Sequence, residues 1–360
     1  MSTAQARTPS ETQDLTASAA AVAAEAAPTT GVTLVEEPKR SWWRQVLRWF
    51  DSSVDQEAEP AKAAHEAQDL KIDWVRSAPW LGMHLACLGV FWVGISPVAV
   101  IVAVSLYFIR MFWLTAFYHR YFAHRTFKMN RFWQFIAAVL TNTCTQRGPL
   151  WWAAHHRDHH RYSDQLGDVH SAKQYGFFWS HMGWVMSKEN ARTRMEGIKD
   201  FAKFPELRFL DRFHVLVPVI FAYALWLTGD LLATHAPHLG TTGAQMLIWG
   251  FFVSTIVLAH GTFTINSLAH LIGRRRFPTN DNSRNSALLA VITLGEGWHN
   301  NHHHFPGTAR QGFKWWEYDV TYYGLKMLSW MGIVKDLKGL PAHVFKRHEE
   351  AKAARKSQAA

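Results

Sequence analysis

Residues 97–118 read PVAVIVAVSLYFIRMFWLTAFY and lead without a break into HRYFAH at residues 119–124. An α-helix rises 1.5 Å per residue, so about 33 Å separates position 97 from His119, roughly the thickness of the hydrocarbon layer of a bilayer. The stretch therefore predicts a helix that crosses a membrane and carries His119 and His124 to one of its surfaces.

Three further apolar runs occupy about residues 80–95, 213–232 and 244–265. Only the tetrapeptide GISP can turn between the first of these runs and the run that begins at position 97, and THAPHLGTTG joins the last two. The helical rise from position 244 again gives about 33 Å to Asn266, with His270 one turn beyond. We predict an all-α integral membrane protein with four transmembrane helices in two hairpins.

Basic residues lie at one end of each predicted hairpin. Neither joining turn contains Lys or Arg, whereas the opposite ends carry Lys71, Arg76, Arg120, Arg125, Lys128, Lys199, Lys203, Arg208, Arg212 and Arg274 to Arg276. The positive-inside rule then places both termini and a helical cap that carries the histidines on the cytosolic side. The net charge of +10 is better explained by anchoring at the membrane surface than by nucleic-acid binding.

The remaining segments complete the predicted organisation. Residues 1–38 are rich in Ala, Thr, Ser and Gln and predict a disordered tail, without the pattern of a secretory signal. Within residues 39–70, SWWRQVLRWF predicts an amphipathic helix on the membrane or packed on the core, followed by an acidic linker. Residues 71–337 form the membrane domain, in which FWQFIAAVLTNT is too short for a span, and residues 338–360 form a basic tail.

Histidine is concentrated in HRYFAH, HRDHH and HNNHH, with NSLAH between the last two. Imidazole is the commonest metal ligand among side chains, and structural zinc stops at four ligands. This number of histidines predicts two metal ions, with iron among the candidates. Offsets of three and four residues place the histidines of HRDHH and HNNHH on one helical face. The five-residue spacing of His119 and His124 would splay the rings by about 140° on a regular helix, so we predict a helix end or distortion there.

A ligand histidine usually presents its second N–H to an acceptor that fixes the ring. Asp158, Asp164, Asp168 and Glu296 lie close enough in sequence to serve. The chain contains no GxSxG, no phosphate-binding glycine loop and no CxxC pair, and Cys87 and Cys144 are predicted to be buried thiols. A centre of two irons at the edge of a membrane suits oxygen activation on a lipid chain.

The segments HRYFAH, WWAAHHRDHHRYSD, GFFWSHMGW, NSLAH and GEGWHNNHHHFP resemble the membrane-bound Δ9 fatty acyl desaturases, the family that includes stearoyl-CoA desaturase. The resemblance covers about residues 74–335 and implies four spans, a cytosolic cap and a di-iron centre. It implies a water held by Asn266 and nine histidine ligands, His119, His124, His156, His159, His160, His270, His299, His302 and His303. His155, His170, His181, His260 and His304 fall outside this set and are assigned structural roles.

The resemblance also implies a reaction and its partners. Family members remove two hydrogens from a saturated C16–C18 acyl chain with O2 and two electrons, which a separate ferredoxin or cytochrome b5 would deliver here. It implies that Gln146, Trp152 and Thr262 form the bend of the acyl tunnel, giving a cis Δ9 product, and that Tyr107 and Met111 close its end. Ala154-His155 stands where animal acyl-CoA members carry Arg-Asp, so the carrier is left open between CoA and a glycerolipid.

Two other functions remain compatible with the motifs. A membrane hydroxylase or alkane monooxygenase would use a similar iron centre and release an alcohol. A metal transporter would place its ligands near the middle of the membrane, whereas here the spans hold few ionisable groups, chiefly Arg110 and His260. His260 lies about 15 Å along the helix from His270, so we interpret it as a hydrogen-bonded interior residue.

Overall fold

The computed structural model describes residues 41–56 and 68–344. The predicted N-terminal tail, part of the acidic linker and most of the C-terminal tail lie outside these residues. The described part is helical and contains no strand, only isolated bridges such as that between Ile72 and Ser187. Three of its helices are long and apolar enough to cross a membrane: Pro97–Ala123, Leu216–His235 and Gly243–Leu271.

The first half of the described chain contains α1 (Trp42–Leu47), α2 (Ser53–Gln56), α3 (Trp74–Cys87), α4 (Val90–Val93), α5 (Pro97–Trp113), the π-helix π1 (Leu114–Ala123), α6 (Arg131–Asn142), α7 (Pro149–Tyr162), α8 (Ala172–Phe178), π2 (Trp179–Gly183) and α9 (Trp184–Met186). The second half contains a 3₁₀ turn (Met195–Gly197), α10 (Lys199–Ala202), α11 (Pro205–Arg212), α12 (Leu216–His235), a 3₁₀ turn (Pro237–Leu239), α13 (Gly243–Gln245), π3 (Met246–Val253), α14 (Ser254–Asn266), α15 (Leu268–Leu271), α16 (Ala287–Ile292), α17 (His299–His304) and α18 (Val320–Trp330).

The segment predicted as the first span is divided into two helices. It forms α3, with 14 residues, and α4, with 4 residues, separated at Leu88 and Gly89. A Cβ on Gly89 would lie 2.7 Å from Cδ1 of Ile248, so the absence of a side chain allows α3 and π3 to approach closely. Gly94, with φ of 69°, then turns the chain towards α5. That this segment crosses the membrane as a fourth span stays a prediction.

The second hairpin is held by a close approach of its two helices. A Cβ on Gly229 of α12 would lie 2.5 Å from the carbonyl oxygen of Thr242, which no other residue type would tolerate without a shift. Thr242 and Gln245 form a reciprocal capping box at the start of the returning helix. The helical path then runs through π3 and α14 to His270 in α15, the course that the sequence predicts.

Arg110 is the one strongly ionisable side chain that the sequence places deep in α5, and it is fully buried. Its guanidinium donates to the backbone oxygen of Thr143 at 3.2 Å and to Oγ1 of Thr255 at 2.8 Å, and it also contacts Oγ of Ser254. Buried charge is costly unless it is hydrogen-bonded. These contacts fix α5 against α14 and the end of α6, and so position the histidines that follow α5.

Two shorter apolar segments also form helices, SWWRQVLRWF as α1 and FWQFIAAVLTNT as α6. On α1, the side chains of Trp42 and Trp43 are largely exposed. On α6, Ala137, Ala138 and Thr141 are buried against the core while Phe132 is 63% exposed. On α6 an apolar exposed face lies beside a buried one, which is the pattern expected of a helix at a membrane interface. No residue of α1 is buried.

Candidate metal centre

All nine histidines singled out from the sequence lie in two compact clusters. Within each cluster, one nitrogen from every ring lies within 4.8 Å of the others. The first cluster consists of His119, His124, His156, His160 and His302, and the second consists of His159, His270, His299 and His303. The structure therefore brings together residues that are up to 184 positions apart, from His119 to His303.

A π-helix solves the five-residue spacing of His119 and His124. His119 lies within π1 and His124 directly follows its last residue, and the backbone N–H of His124 donates to the carbonyl oxygen of His119 at 3.1 Å. This i to i+5 bond is the defining contact of a π-helix, whose wider turn brings residues five apart towards the same face. The ring centroids of the two histidines are 4.8 Å apart. The predicted helical distortion is thus present.

The helices α7 and α17 each contribute to both clusters. His156 and His160 of α7 belong to the first cluster, and His159 between them belongs to the second. In α17 the assignment is reversed, because His299 and His303 belong to the second cluster and His302 to the first. The prediction that each triplet shares one helical face holds, and that face lies over the boundary between the clusters.

The inward-facing atoms are Nε2 in the closest contacts. Nε2 of His119 lies 3.0 Å from that of His302, Nε2 of His124 lies 2.9 Å from that of His156, and in the second cluster the corresponding distance from His270 to His299 is 3.0 Å. Two imidazole nitrogens at right angles about an ion at ~2.1 Å would be ~3.0 Å apart.

An unpartnered nitrogen in the second cluster also fits a metal. Nε2 of His303 is buried and has no hydrogen-bond partner among the described residues. Two groups of nitrogen donors with these separations suit two ions of the kind that imidazole binds, iron included.

Four buried carboxylates hold the outer nitrogens of the rings. Each contacts Nδ1 and so leaves Nε2 directed into a cluster, which is the arrangement that fixes a metal-binding tautomer. The distances are 2.6 Å for Glu296 to His119, 3.0 Å for Asp168 to His159, 3.0 Å for Asp164 to His270 and 2.6 Å for Asp281 to His303.

Three of these four carboxylates were predicted from the sequence, and one was missed. Asp158, which was also a candidate, instead forms an ion pair with Arg194 at 3.0 Å, because its place on α7 turns it away from the clusters. Asp281 was missed because it lies in the loop between α15 and α16, 22 residues before His303. Nothing in the local sequence pattern indicates that contact.

The electrostatics favour the neutral, metal-binding form of most rings. Burial lowers the pKa of the imidazoles of His156, His160, His299 and His302 well below the usual value. Burial opposes ionisation of Glu296, but the charges of His119 and Arg120 outweigh it and bring the pKa of that carboxyl to about 2. The rings thus offer lone pairs, while their carboxylate partners stay ionised.

A cavity of about 220 Å³ reaches the first cluster. It is lined by His156 together with the three residues predicted to form a tunnel bend. Nε2 of Gln146 donates to Oγ1 of Thr262 at 3.1 Å, and Nε1 of Trp152 donates to Oε1 of Gln146 at 3.3 Å. The indole of Trp152 also stacks on His156 with 5.0 Å between centroids. The three residues therefore form one hydrogen-bonded wall beside the histidines, and Asn266 lines the same cavity.

Tyr107 and Met111 lie behind this wall and are not among the described residues that line the cavity. A Cβ on Gly261, next to Thr262, would lie 2.7 Å from the hydroxyl of Tyr107 and 3.3 Å from Cε of Met111. Met111 is fully buried, and the hydroxyl of Tyr107 donates to the carbonyl oxygen of Ile292 at 2.8 Å. Their role as the end of a tunnel stays a prediction.

The five histidines assigned structural roles have identifiable partners. Nδ1 of His155 contacts the carbonyl oxygen of Trp151 at 2.9 Å, and His304 stacks on Phe277 with 4.1 Å between centroids. His170 and His155 also line the cavity, which sequence reasoning did not anticipate, and His170 lies 3.5 Å from Asp168. His181 and His260 contact each other at 2.9 Å, away from both clusters.

Known proteins that this chain resembles are desaturases of fatty acyl chains. The family model described as fatty acid desaturase matches residues 95–326. An sn-1 stearoyl-lipid 9-desaturase of Anabaena variabilis is 32% identical over 271 residues, 74% of this chain and 94% of that protein. An acyl-CoA 5-desaturase of Anemone leveillei is 33% identical over 277 residues, which cover 74% of this chain and 79% of that protein. A palmitoyl-monogalactosyldiacylglycerol delta-7 desaturase of Arabidopsis thaliana is 33% identical over 253 residues, which cover 69% of this chain and 64% of that protein. These relatives differ in double-bond position and in acyl carrier.

Proposed function

Because the chain belongs to the fatty acid desaturase family, we propose that it introduces a cis double bond at the Δ9 position of a saturated C16–C18 acyl chain. The observation that carries this proposal is the pair of histidine clusters beside a cavity lined by Gln146, Trp152 and Thr262. The Δ9 position is supported by the motifs described above and by the Anabaena relative, a 9-desaturase.

The nine clustered histidines would hold two iron ions, with Asn266 contributing through a water. Bound iron would supply the oxidising power, with O2 as the final electron acceptor, that an unactivated methylene pair requires. The four carboxylates keep the Nδ1–H side of their rings anchored, so the Nε2 atoms stay directed inward without reorganisation.

The cavity wall would orient the acyl chain. A chain bent at the wall of Gln146, Trp152 and Thr262 presents one pair of carbons to the first cluster, because Trp152 stacks on His156. Holding reactants in one geometry is a large part of enzymatic rate acceleration. The indole and the surrounding apolar residues also displace water from the reacting carbons.

We further propose that the enzyme spans the membrane four times and keeps both termini and the histidines on the cytosolic side. The basic residues at one end of each hairpin support this orientation. Cysteines inserted into residues 94–97 and 234–243 should react with an impermeant reagent only from the non-cytosolic side. Labelling from the cytosol would show that the orientation is reversed.

The proposed partners are O2, a separate electron-donor protein such as a ferredoxin or cytochrome b5, and an acyl chain carried by CoA or by a glycerolipid. The relatives include both acyl-CoA and acyl-lipid desaturases, so they support either carrier.

Expression in a host that lacks its own desaturase tests the proposed activity. Fatty-acid profiling by mass spectrometry should detect a cis Δ9 alkene, and purified protein should contain about two iron ions per chain. An alkene at another position would refute the regiochemistry alone. A secondary alcohol would identify a hydroxylase, and metal flux without either product would identify a transporter.

A further inference from the structure

Three histidines outside the two clusters form a line of hydrogen-bond contacts with Ser267. Nε2 of His84 lies 3.0 Å from Nε2 of His260, and Nδ1 of His260 lies 2.9 Å from Nε2 of His181. Nδ1 of His181 lies 3.0 Å from Oγ of Ser267. These four residues are called the histidine chain below. Because His260 meets its two neighbours with opposite ring nitrogens, the arrangement is a line and not a set of ligands around one point.

The histidine chain ends on a backbone carbonyl at both ends. Nδ1 of His84 lies 2.9 Å from the carbonyl oxygen of Trp80, and Oγ of Ser267 lies 2.9 Å from the carbonyl oxygen of Phe263. A carbonyl oxygen can only accept a hydrogen bond. At each end of the line the hydrogen must therefore be donated by His84 or by Ser267.

Counting hydrogens shows that the neutral chain is one proton short. The line contains five contacts, and each requires one hydrogen. A neutral imidazole has one N–H and a serine has one O–H, so three neutral histidines with Ser267 supply only four. One contact would then leave two lone pairs facing each other, which costs free energy inside a protein. One additional proton satisfies all five contacts and can reside on any of the three rings.

The surroundings suit a shared positive charge. The indole of Trp80 lies 4.5 Å from the ring of His84, and Phe177 stacks on His181 with 5.2 Å between centroids. Aromatic rings stabilise a nearby cation through their quadrupole. His260 faces His84 on one side and His181 on the other, so an additional proton can be shared along the line of contacts.

One end of the histidine chain lies beside the second cluster. Ser267 directly follows Asn266 and lies three residues before His270, whose backbone N–H donates to the carbonyl oxygen of Ser267 at 3.2 Å. The other members come from three separate elements, with His84 on α3, His181 on π2 and His260 on α14.

We propose that the histidine chain holds one proton and supplies it to the reaction at the second cluster when the Ser267 hydroxyl turns away from the carbonyl oxygen of Phe263. This inference rests on the proposed desaturase activity, R–CH2–CH2–R′ + O2 + 2 e⁻ + 2 H⁺ → R–CH=CH–R′ + 2 H2O. Two C–H bonds break, a C=C bond forms, and O2 is reduced to two waters by the substrate and by a one-electron carrier protein. Two protons must reach the site from outside the substrate, and the histidine chain positions one of them.

The variant His260→Gln tests the proposal because glutamine can bridge both neighbours but cannot pass a proton from one side to the other. In metal-free, ¹⁵N-histidine-labelled protein at pH 7.5, an exposed imidazole with the ordinary pKa is about 90% neutral. Nitrogen-15 spectra of the wild type should then show an imidazolium signal that His260→Gln lacks. This readout does not depend on activity. The exposed residue His238 provides the matched control, since His238→Gln should leave the signal unchanged.

Turnover provides the second measurement. We expect His260→Gln to lower kcat by about 10²-fold, the usual range for a positioned proton donor, with KM and iron content unchanged and a larger solvent isotope effect. A missing imidazolium signal in the wild type overturns the proposal, as does a variant with normal kcat and isotope effect. If His260→Gln does not accumulate, His84→Gln is used with the same criteria. A wild type that shows the signal but forms no alkene refutes the desaturase function and leaves the stored proton in place.

Discussion

Asp168 offers the sharpest test of how the second cluster is organised. It is fully buried, and its Oδ2 accepts from Nδ1 of His159 at 3.0 Å and from the backbone N–H of Asp164 at 2.9 Å. Its Oδ1 accepts from the backbone N–H of His170 at 3.2 Å. Burial alone would raise the pKa of Asp168, but the charge of His159 lowers the pKa below its usual range. Asp168→Asn keeps the shape of this side chain and removes its charge.

The expected effects of Asp168→Asn on metal affinity and on stability follow from these contacts. The amide oxygen can still accept from His159 and Asp164, so the fold should survive, while the new NH2 group faces the N–H of His170. Loss of an anchoring partner of a metal-binding histidine typically lowers metal affinity by about 10- to 100-fold, which corresponds to about 1.4–2.7 kcal/mol. Loss of the charged hydrogen bonds should lower the free energy of unfolding of the metal-free protein by about 1.5–3 kcal/mol.

The assay is iron retention against a graded chelator in purified protein, with thermal unfolding measured in parallel. Asp211 provides the matched control, because it is equally buried and bonds the backbone N–H groups of Leu150 and Trp151 at 3.0 and 2.8 Å without touching a histidine. Asp211→Asn should leave iron affinity unchanged. Equal iron affinities for the wild type and Asp168→Asn would refute the conclusion that Asp168 anchors His159. Equal losses of iron affinity in Asp168→Asn and Asp211→Asn would refute it as well.

Four further outcomes are expected. His302→Ala should abolish desaturation and lower iron content by elemental analysis, whereas His304→Ala should retain both; full activity without His302 would remove it from the ligand set. Met111→Ala should shift preference from palmitoyl towards stearoyl chains in a competition assay, because a smaller side chain deepens the tunnel, and an unchanged product ratio would show that Met111 is not its end. Thr262 replaced by a bulky residue should lower activity, and normal activity would contradict the predicted bend. Burial lowers the pKa of His303 from 6.5 to about 4, so the neutral ring contributes fully to stability above pH 6.5 and this contribution decreases towards pH 4. The melting temperature of the metal-free protein should therefore fall between pH 6.5 and pH 4, and a constant melting temperature would contradict this expectation.

The grouping of the histidines was predictable because its signal is local. Offsets of three and four residues place side chains on one helical face whatever surrounds the helix, so His156, His160, His299 and His303 could be paired from the sequence. The distortion between His119 and His124 was also predictable, but its form as a π-helix was not. π1 packs against α7, and this tertiary contact is not contained in the residue types of π1.

Contacts that depend on the tertiary fold were outside the reach of sequence patterns. Asp281 reaches His303 from a loop, and His84 meets His260 across 176 positions of sequence. The close approach of Gly89 to Ile248 is likewise a contact between separate segments. In each case, the partner is chosen by how helices cross, and no periodicity in one segment contains that information.

The two clusters are related by an exchange of roles between α7 and α17. In α7 the i, i+4 pair of His156 and His160 serves the first cluster and the intervening ligand serves the second, and in α17 the opposite holds. His160 and His303 stack at 4.4 Å where the two helices meet. The separation of the clusters is therefore set inside single helical turns, whose backbone hydrogen bonds resist stretching. Moving either helix would displace histidines of both clusters together, so the spacing between the two clusters is protected as long as the individual helices remain intact.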